Sequence, residues 1–175
     1  DDLLRYFPEP LRTGHHEAIL RHRLRREIIA TFVTNSLVNR AGICFVNEMA
    51  ERTGASSSDV ARAYTVARQV FELRRFWAEV EALDARAPAP VQYRLLGASI
   101  ALIERSTLWF LRELPRPIDI AAAIARFQPG AARIGRHVAE LLDPARAQAL
   151  GVQQAALLAG PPHPAGGGVG VVGRA

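Results

Sequence analysis

The short motifs in this sequence that look like chemical sites are each tested by their own neighbours. Gly168-Val169-Gly170-Val171-Val172-Gly173 spells the dinucleotide fingerprint G-x-G-x-x-G. That fingerprint works when a strand feeds the glycine turn and a helix N-terminus receives the pyrophosphate. Here Pro161-Pro162-His163-Pro164 and a glycine run precede it, and only Arg174-Ala175 follow, so no nucleotide role is expected. His16-Glu17 begins the zinc-protease pattern H-E-x-x-H, but position 20 is leucine and the next histidine is His22. At about 100° per helical residue, His16 and His22 lie roughly 120° apart, on different faces. G-x-S-x-G, C-x-x-C and P-loop patterns do not occur. All 22 basic residues are arginine, which stays protonated and cannot supply a Schiff-base amine. No catalytic, cofactor-binding or metal-ligating residue is therefore expected in this chain.

Binding chemistry is better represented. Arg21-His22-Arg23-Leu24-Arg25-Arg26 is the densest basic run, partly offset by Glu17 and Glu27. Arg21, Arg23, Arg25 and Arg26 could grip an acidic partner surface or phosphates, or serve as solvated helix formers that pair with carboxylates. Asn35 and Asn39 stand four apart on the face shared with Ile28 and Phe32, so burial would demand hydrogen-bond partners. They read either as an internal network fixing helix register or, with Arg40 beside them, as a docking surface for a neighbouring domain. Residues 43–71 have the small-residue, glycine and polar-turn spacing of a helix-turn-helix DNA reader. Against that stand Asp59 at the start of the second helix and apolar residues on both its edges, Val60 and Tyr64, Val66 and Val70.

These residues sit on helices almost throughout. A long helix is expected from His15 to Ala41, with Gly42 as its break. From Ile28 onward its apolar residues surround the axis, which predicts that it runs into the middle of the domain. A second helix spans 43–53 and stops at Gly54, the residue best able to take a left-handed conformation. Ser56 with Asp59 resembles a capping box opening a helix that continues to about Asp84. Ala87-Pro88-Ala89-Pro90 is a connector, followed by a second long helix, 91–113, ended by Pro115 and Pro117. Asp119 is positioned to cap a helix over 120–127, and Pro129 to open another reaching Leu142. No alternating strand pattern or fixed repeat is present. The expectation is an all-α multi-helix bundle with two long helices over 1–159 and a loose, flexible Pro/Gly-rich C-terminal tail over 160–175.

Composition agrees. The 175 residues carry a net charge of +5 and 49% hydrophobics, 30 of the residues being alanine, while aromatics reach only 7%. Such a chain suits a helix-rich domain with its own core and excludes disordered, collagenous and disulfide-stapled classes. Leu95 to Ile103, the longest uncharged apolar helical stretch, is about half of the ~20 residues a bilayer crossing requires. The lone Cys44 lies in an apolar run and is expected to be a buried, reduced thiol in a cytoplasmic protein. A start at Asp1-Asp2, with Met49 the sole methionine, reads as a piece of something longer or as a processed product.

The string 21–31, Arg-His-Arg-Leu-Arg-Arg-Glu-Ile-Ile-Ala-Thr, followed by Val38-Asn39-Arg40-Ala41-Gly42, resembles the C-terminal helical region of the bacterial large NAD-specific glutamate dehydrogenases. Tyr6-Phe7-Pro8, Thr53-Gly54-Ala55-Ser56, Ala61-Arg62-Ala63-Tyr64, Glu81-Ala82-Leu83-Asp84, Ile118-Asp119-Ile120-Ala121 and Arg126-Phe127-Gln128-Pro129-Gly130 support it in order. The resemblance covers about residues 5–145 and fades from Gly160. It implies a parent enzyme that deaminates L-glutamate oxidatively to 2-oxoglutarate and ammonia while reducing NAD. The parent's catalytic lysine, aspartate and nucleotide-binding glycines would lie upstream, and no position here matches them. The segment itself would then be a non-catalytic, cofactor-free scaffold or regulatory portion. It would pack on the parent's catalytic core or on other subunits of a homo-oligomer, with no nucleic-acid or membrane partner. The alternatives are a DNA-binding regulator using residues 43–71 and a stand-alone helical module for an acidic partner.

Overall fold

Ser56 shows how locally the fold is specified. Its Oγ accepts from the Asp59 amide at 3.2 Å and donates to the Asp59 carboxylate at 2.8 Å, a reciprocal cap that starts a helix at Ser57. Just upstream, Gly54 takes φ 65°, ψ 18° and donates its N–H to Ala50 O at 2.7 Å, closing the preceding helix. In the computed structural model, residues 2–84 and 86–137 are described, with positions 140, 143, 145 and 148 beyond them. The described residues form α1 (Asp2–Tyr6), α2 (Glu9–Gly14), α3 (His16–Leu20), α4 (Arg25–Ala41), α5 (Phe45–Thr53), α6 (Ser57–Val70), α7 (Leu73–Glu81), α8 (Ala89–Glu113) and α9 (Ile120–Arg136), and no strand. The fold is an all-α multi-helix bundle. The expected tail over 160–175 and the glycine fingerprint lie outside the described residues.

The centre is α6, which packs against α4, α5, α7, α8 and α9. Val60, Ala63, Tyr64, Val66 and Ala67 are all fully buried. Small and branched side chains let neighbours approach on every side, and buried Thr65 is satisfied within the helix, its Oγ1 donating to Ala61 O at 2.8 Å. The expectation that the 15–41 helix runs through the middle is corrected. That stretch is two helices, α3 and α4, separated by a turn at 21–24 in which the Leu24 amide donates to His22 Nδ1 at 3.2 Å. Within α4 only Leu37 is fully buried, and Ile29 and Val38 remain exposed.

The helix expected to continue from Ser57 to about Asp84 breaks at Glu72, which sits at φ 50°. A left-handed non-glycine residue costs about 1–2 kcal/mol. The break redirects Leu73, Trp77 and Val80 into the core, and burying such side chains contributes about 1.5–3 kcal/mol each. Helix α8 starts with Pro90 in its first turn and stops at extended Leu114 before Pro115. Its inner face alternates small with large: Ser99, Ile103, Ser106, Thr107, Phe110 and Leu111 are buried. The Asp119 carboxylate accepts from the Ala122 amide at 3.0 Å and starts α9. Two helices divided at Pro129 were expected; instead α9 continues through Pro129 to Arg136. Proline forfeits one backbone hydrogen bond, but Phe127 and Ala131 on either side of it pack against the core. No single helix among the described residues is long and apolar enough to cross a membrane; the α4–α5 pair, bent by 91°, passes only by combined length and composition.

Candidate functional site

Helices α4 and α7 run past each other and leave a cleft of about 500 Å³ between them, with Arg5 of α1 at its edge. Helix α4 contributes Phe32, Asn35, Ser36, Asn39 and Arg40, and α7 contributes Arg74, Trp77, Ala78 and Glu81. These positions recur every three or four residues on each helix, the spacing that gathers side chains on one face.

Across the cleft, Arg40 Nη2 donates to Glu81 Oε1 at 2.7 Å. The Arg40 guanidinium also lies 4.8 Å from the Trp77 ring centroid. Trp77 is itself fixed from behind, because its Nε1 donates to Ser99 Oγ at 2.9 Å and that hydroxyl donates to Leu96 O at 2.7 Å. Arg74 stacks over Phe32 at 5.4 Å. Two arginines thus lie over aromatic rings, an arrangement that orients a guanidinium.

Beneath this layer lies a hydrogen-bonded knot. The Tyr64 hydroxyl donates to Ser36 O at 3.2 Å and lies 3.1 Å from Ser36 Oγ. Arg68 Nη1 donates to the same Oγ at 3.2 Å. Ser36 can therefore donate to the phenol while accepting from Arg68, so all three side chains are accommodated in one pattern. Burial raises the Tyr64 pKa above its ordinary value, opposed by the Ser36 hydrogen bond and by the positive charges of Arg68, Arg40 and Arg74. The phenol stays protonated and serves as a structural donor.

Three of the residues singled out in the sequence, Asn35, Asn39 and Arg40, are brought together here. The two asparagines are exposed, so the internal-network reading of that pair is corrected: the network belongs to Ser36, one position along. Helix α4 turns the asparagines outward because its buried contact is Leu37 rather than Ile28 and Phe32, which are only partly buried. Arg21, Arg23, Arg25 and Arg26 are exposed on the α3–α4 turn, outside the cleft, and Arg21 pairs with Glu17 at 3.3 Å. Sequence reasoning missed Arg68, Arg74, Trp77 and Glu81. Trp77 read as core, and the signal available was Arg40 about two turns after Phe32 on the same helix. Cys44, expected to be buried, is exposed beside Ile43, which is 81% exposed. The turn after Gly42 points both outward and gives burial to Phe45 instead.

Among the described residues, no group of three or more His, Cys, Asp or Glu is placed to hold a metal ion. Fold and cleft together define an all-α bundle that carries, on its surface, a cleft with two arginines over aromatic rings and two asparagines beside them. Comparison with known proteins narrows this class. A family model described as "Glutamate dehydrogenase, C-terminal" matches residues 1–162, and the chain belongs to that family. It is 40% identical over 142 residues to an NAD-specific glutamate dehydrogenase of Pseudomonas aeruginosa, covering 81% of this chain and 9% of that protein. Identity is 44% over 109 residues with the protein of the same name from Halomonas elongata, covering 62% of this chain and 7% of the relative. With that from Mycobacterium tuberculosis it is 36% over 125 residues, covering 71% and 8%. The chain spans less than a tenth of the length of these relatives.

Proposed function

We propose that this chain is the non-catalytic helical scaffold of an NAD-dependent glutamate dehydrogenase. In that parent, L-glutamate, NAD⁺ and water give 2-oxoglutarate, ammonium and NADH. The observation that carries the reading is that a chain without a single lysine matches the family across its whole helical body while spanning so little of its relatives. The catalytic groups and NAD belong to the remainder of the parent. This portion offers the Asn35–Asn39–Arg40 face to the catalytic core or to a neighbouring subunit of a cytoplasmic homo-oligomer. A DNA-reading role for residues 43–71 would require α6 to enter a groove. Yet α6 is the helix most completely covered by its neighbours, which favours the scaffold. Exposed asparagines beside an oriented arginine suit polar recognition of a protein surface.

The test is substitution of Asn35→Lys and Asn39→Lys in the full-length enzyme. Weakened assembly, with glutamate-dependent NADH formation falling alongside it and the chain still helical, is expected. Unchanged assembly and unchanged turnover would contradict the docking face.

A further inference from the structure

A second concavity, of about 420 Å³, opens beside the Arg40–Trp77 cleft and shares Arg5 and Arg74 with it. Three helices send arginines to it: Arg5 from α1, Arg68 from α6, and Arg74 with Arg75 from α7. Gln128 of α9 also lines it, and among the described lining residues Glu72 is the one carboxylate.

The four cations are not equivalent. Arg75 is taken up by Glu79 at 2.8 Å and lies 4.0 Å from Glu72. Arg68 is 1% exposed; its Nη1 donates to Ser36 Oγ, and its guanidinium lies 5.6 Å from the Tyr64 ring centroid. Arg74 lies over Phe32. Both Arg68 and Arg74 hold other contacts besides, so they are fixed parts of the wall. Arg5 is exposed and makes no ion pair among the described residues.

Gathering positive charge in one concavity costs repulsion, which an anion seated there relieves. Guanidinium forks supplied by three helices suit the tetrahedral oxygens of a phosphoryl group better than a flat carboxylate, which one fork satisfies. Aromatic rings already orient Arg68 and Arg74, so little side-chain freedom remains to be lost on binding. We propose that this concavity is a binding site for a small phosphate-bearing anion, with Arg5, Arg68 and Arg74 facing its oxygens and Glu72 opposing it. Because Arg5 and Arg74 also line the neighbouring cleft, a bound anion changes the charge presented beside Asn35, Asn39 and Arg40.

The proposal does not rest on the docking reading, since its test follows binding to the full 175-residue chain alone. Calorimetric titration with pyrophosphate at physiological ionic strength should show one saturable site per chain, occupied more tightly than by succinate. Arg5→Gln with Arg74→Gln should weaken it about tenfold or more, as charge-assisted hydrogen bonds are lost, with helicity checked by circular dichroism. Arg5→Gln alone, an exposed change, should weaken it measurably. Glu72→Gln should tighten it severalfold, a gain that no folding defect can imitate. Arg21→Gln, Arg23→Gln, Arg25→Gln and Arg26→Gln together remove more charge from the α3–α4 turn and should leave the affinity unaltered. Absence of saturable binding would overturn the proposal. So would succinate binding as tightly, a Glu72→Gln chain that binds no better, or an equal loss from the α3–α4 turn, which would mean attraction to net charge alone.

Discussion

The hydroxyl of Tyr64 lies 3.1 Å from Ser36 Oγ, joining the central helix α6 to α4 across 28 positions of sequence. Replacing Tyr64 by phenylalanine keeps the ring and removes that link together with the bond to Ser36 O. A loss of about 1–2 kcal/mol is expected, because Ser36 O loses its donor and the Ser36 hydroxyl loses its acceptor in a half-closed site. Urea unfolding of the Tyr64→Phe chain measures it, and an unchanged midpoint would contradict the assigned network.

The same phenol gives a pH signature. Burial sets its folded-state pKa above the unfolded value of 10.0, so the folded chain holds the proton after the unfolded chain has begun to lose it. Its contribution is complete below pH 10.0 and declines as pH rises from there. Alkaline unfolding should therefore be steeper in the native sequence than in Tyr64→Phe. Superimposable alkaline profiles would contradict the burial of the hydroxyl.

Arg40 is predicted to matter more than its ion-pair partner. The pair with Glu81 is partly exposed, with side-chain exposures of 32% and 58%, so removing Glu81 should cost less than about 1 kcal/mol and less still in salt. Arg40→Ala also removes the guanidinium from Trp77, adding about 0.5–1 kcal/mol. A double-mutant cycle with thermal unfolding separates the two contributions. Equal losses for Arg40→Ala and Glu81→Ala would argue against the stacking.

At the α5–α6 junction the cost of a side chain is conformational. Gly54 has φ 65°, and a Cβ added there would meet nothing within 4 Å, so Gly54→Ala should lose about 1 kcal/mol without any clash. Asparagine tolerates the left-handed region better, and Gly54→Asn should recover part of that loss. Chemical unfolding of both variants distinguishes them; an alanine chain as stable as the native one would refute the argument.

The thiol of Cys44 is exposed. It should react with a disulfide reagent in the folded chain about as fast as a simple thiol, with no denaturant needed. Reaction only after unfolding would return Cys44 to the core.

Elements governed by a few adjacent residues were legible in the sequence. Gly54, the Ser56–Asp59 cap, the Asp119 cap and the prolines around α8 each act within a turn, and each was readable from residue type and spacing. What depends on neighbours was not. A helical apolar stripe says which residues seek cover but not which helix supplies it, so α4 read as central although α6 holds that place. Arg68 is 1% exposed, and arginine carries no local mark of burial; its acceptor, Ser36, lies 32 positions away. The break at Glu72 was hidden because the apolar spacing continues across it. Of the candidate face, Asn35, Asn39 and Arg40 were visible on one helix, whereas Trp77 and Glu81 arrive from another.

The central claim is that this helical portion supports a reaction whose chemistry lies elsewhere in the parent. The most direct measurement follows NADH formation from L-glutamate and NAD⁺ by three samples: this chain alone, a parent lacking it, and the two mixed. No turnover by the chain alone, impaired turnover by the shortened parent and recovery on mixing are predicted. Turnover by the chain alone, or full activity in its absence, would contradict the account.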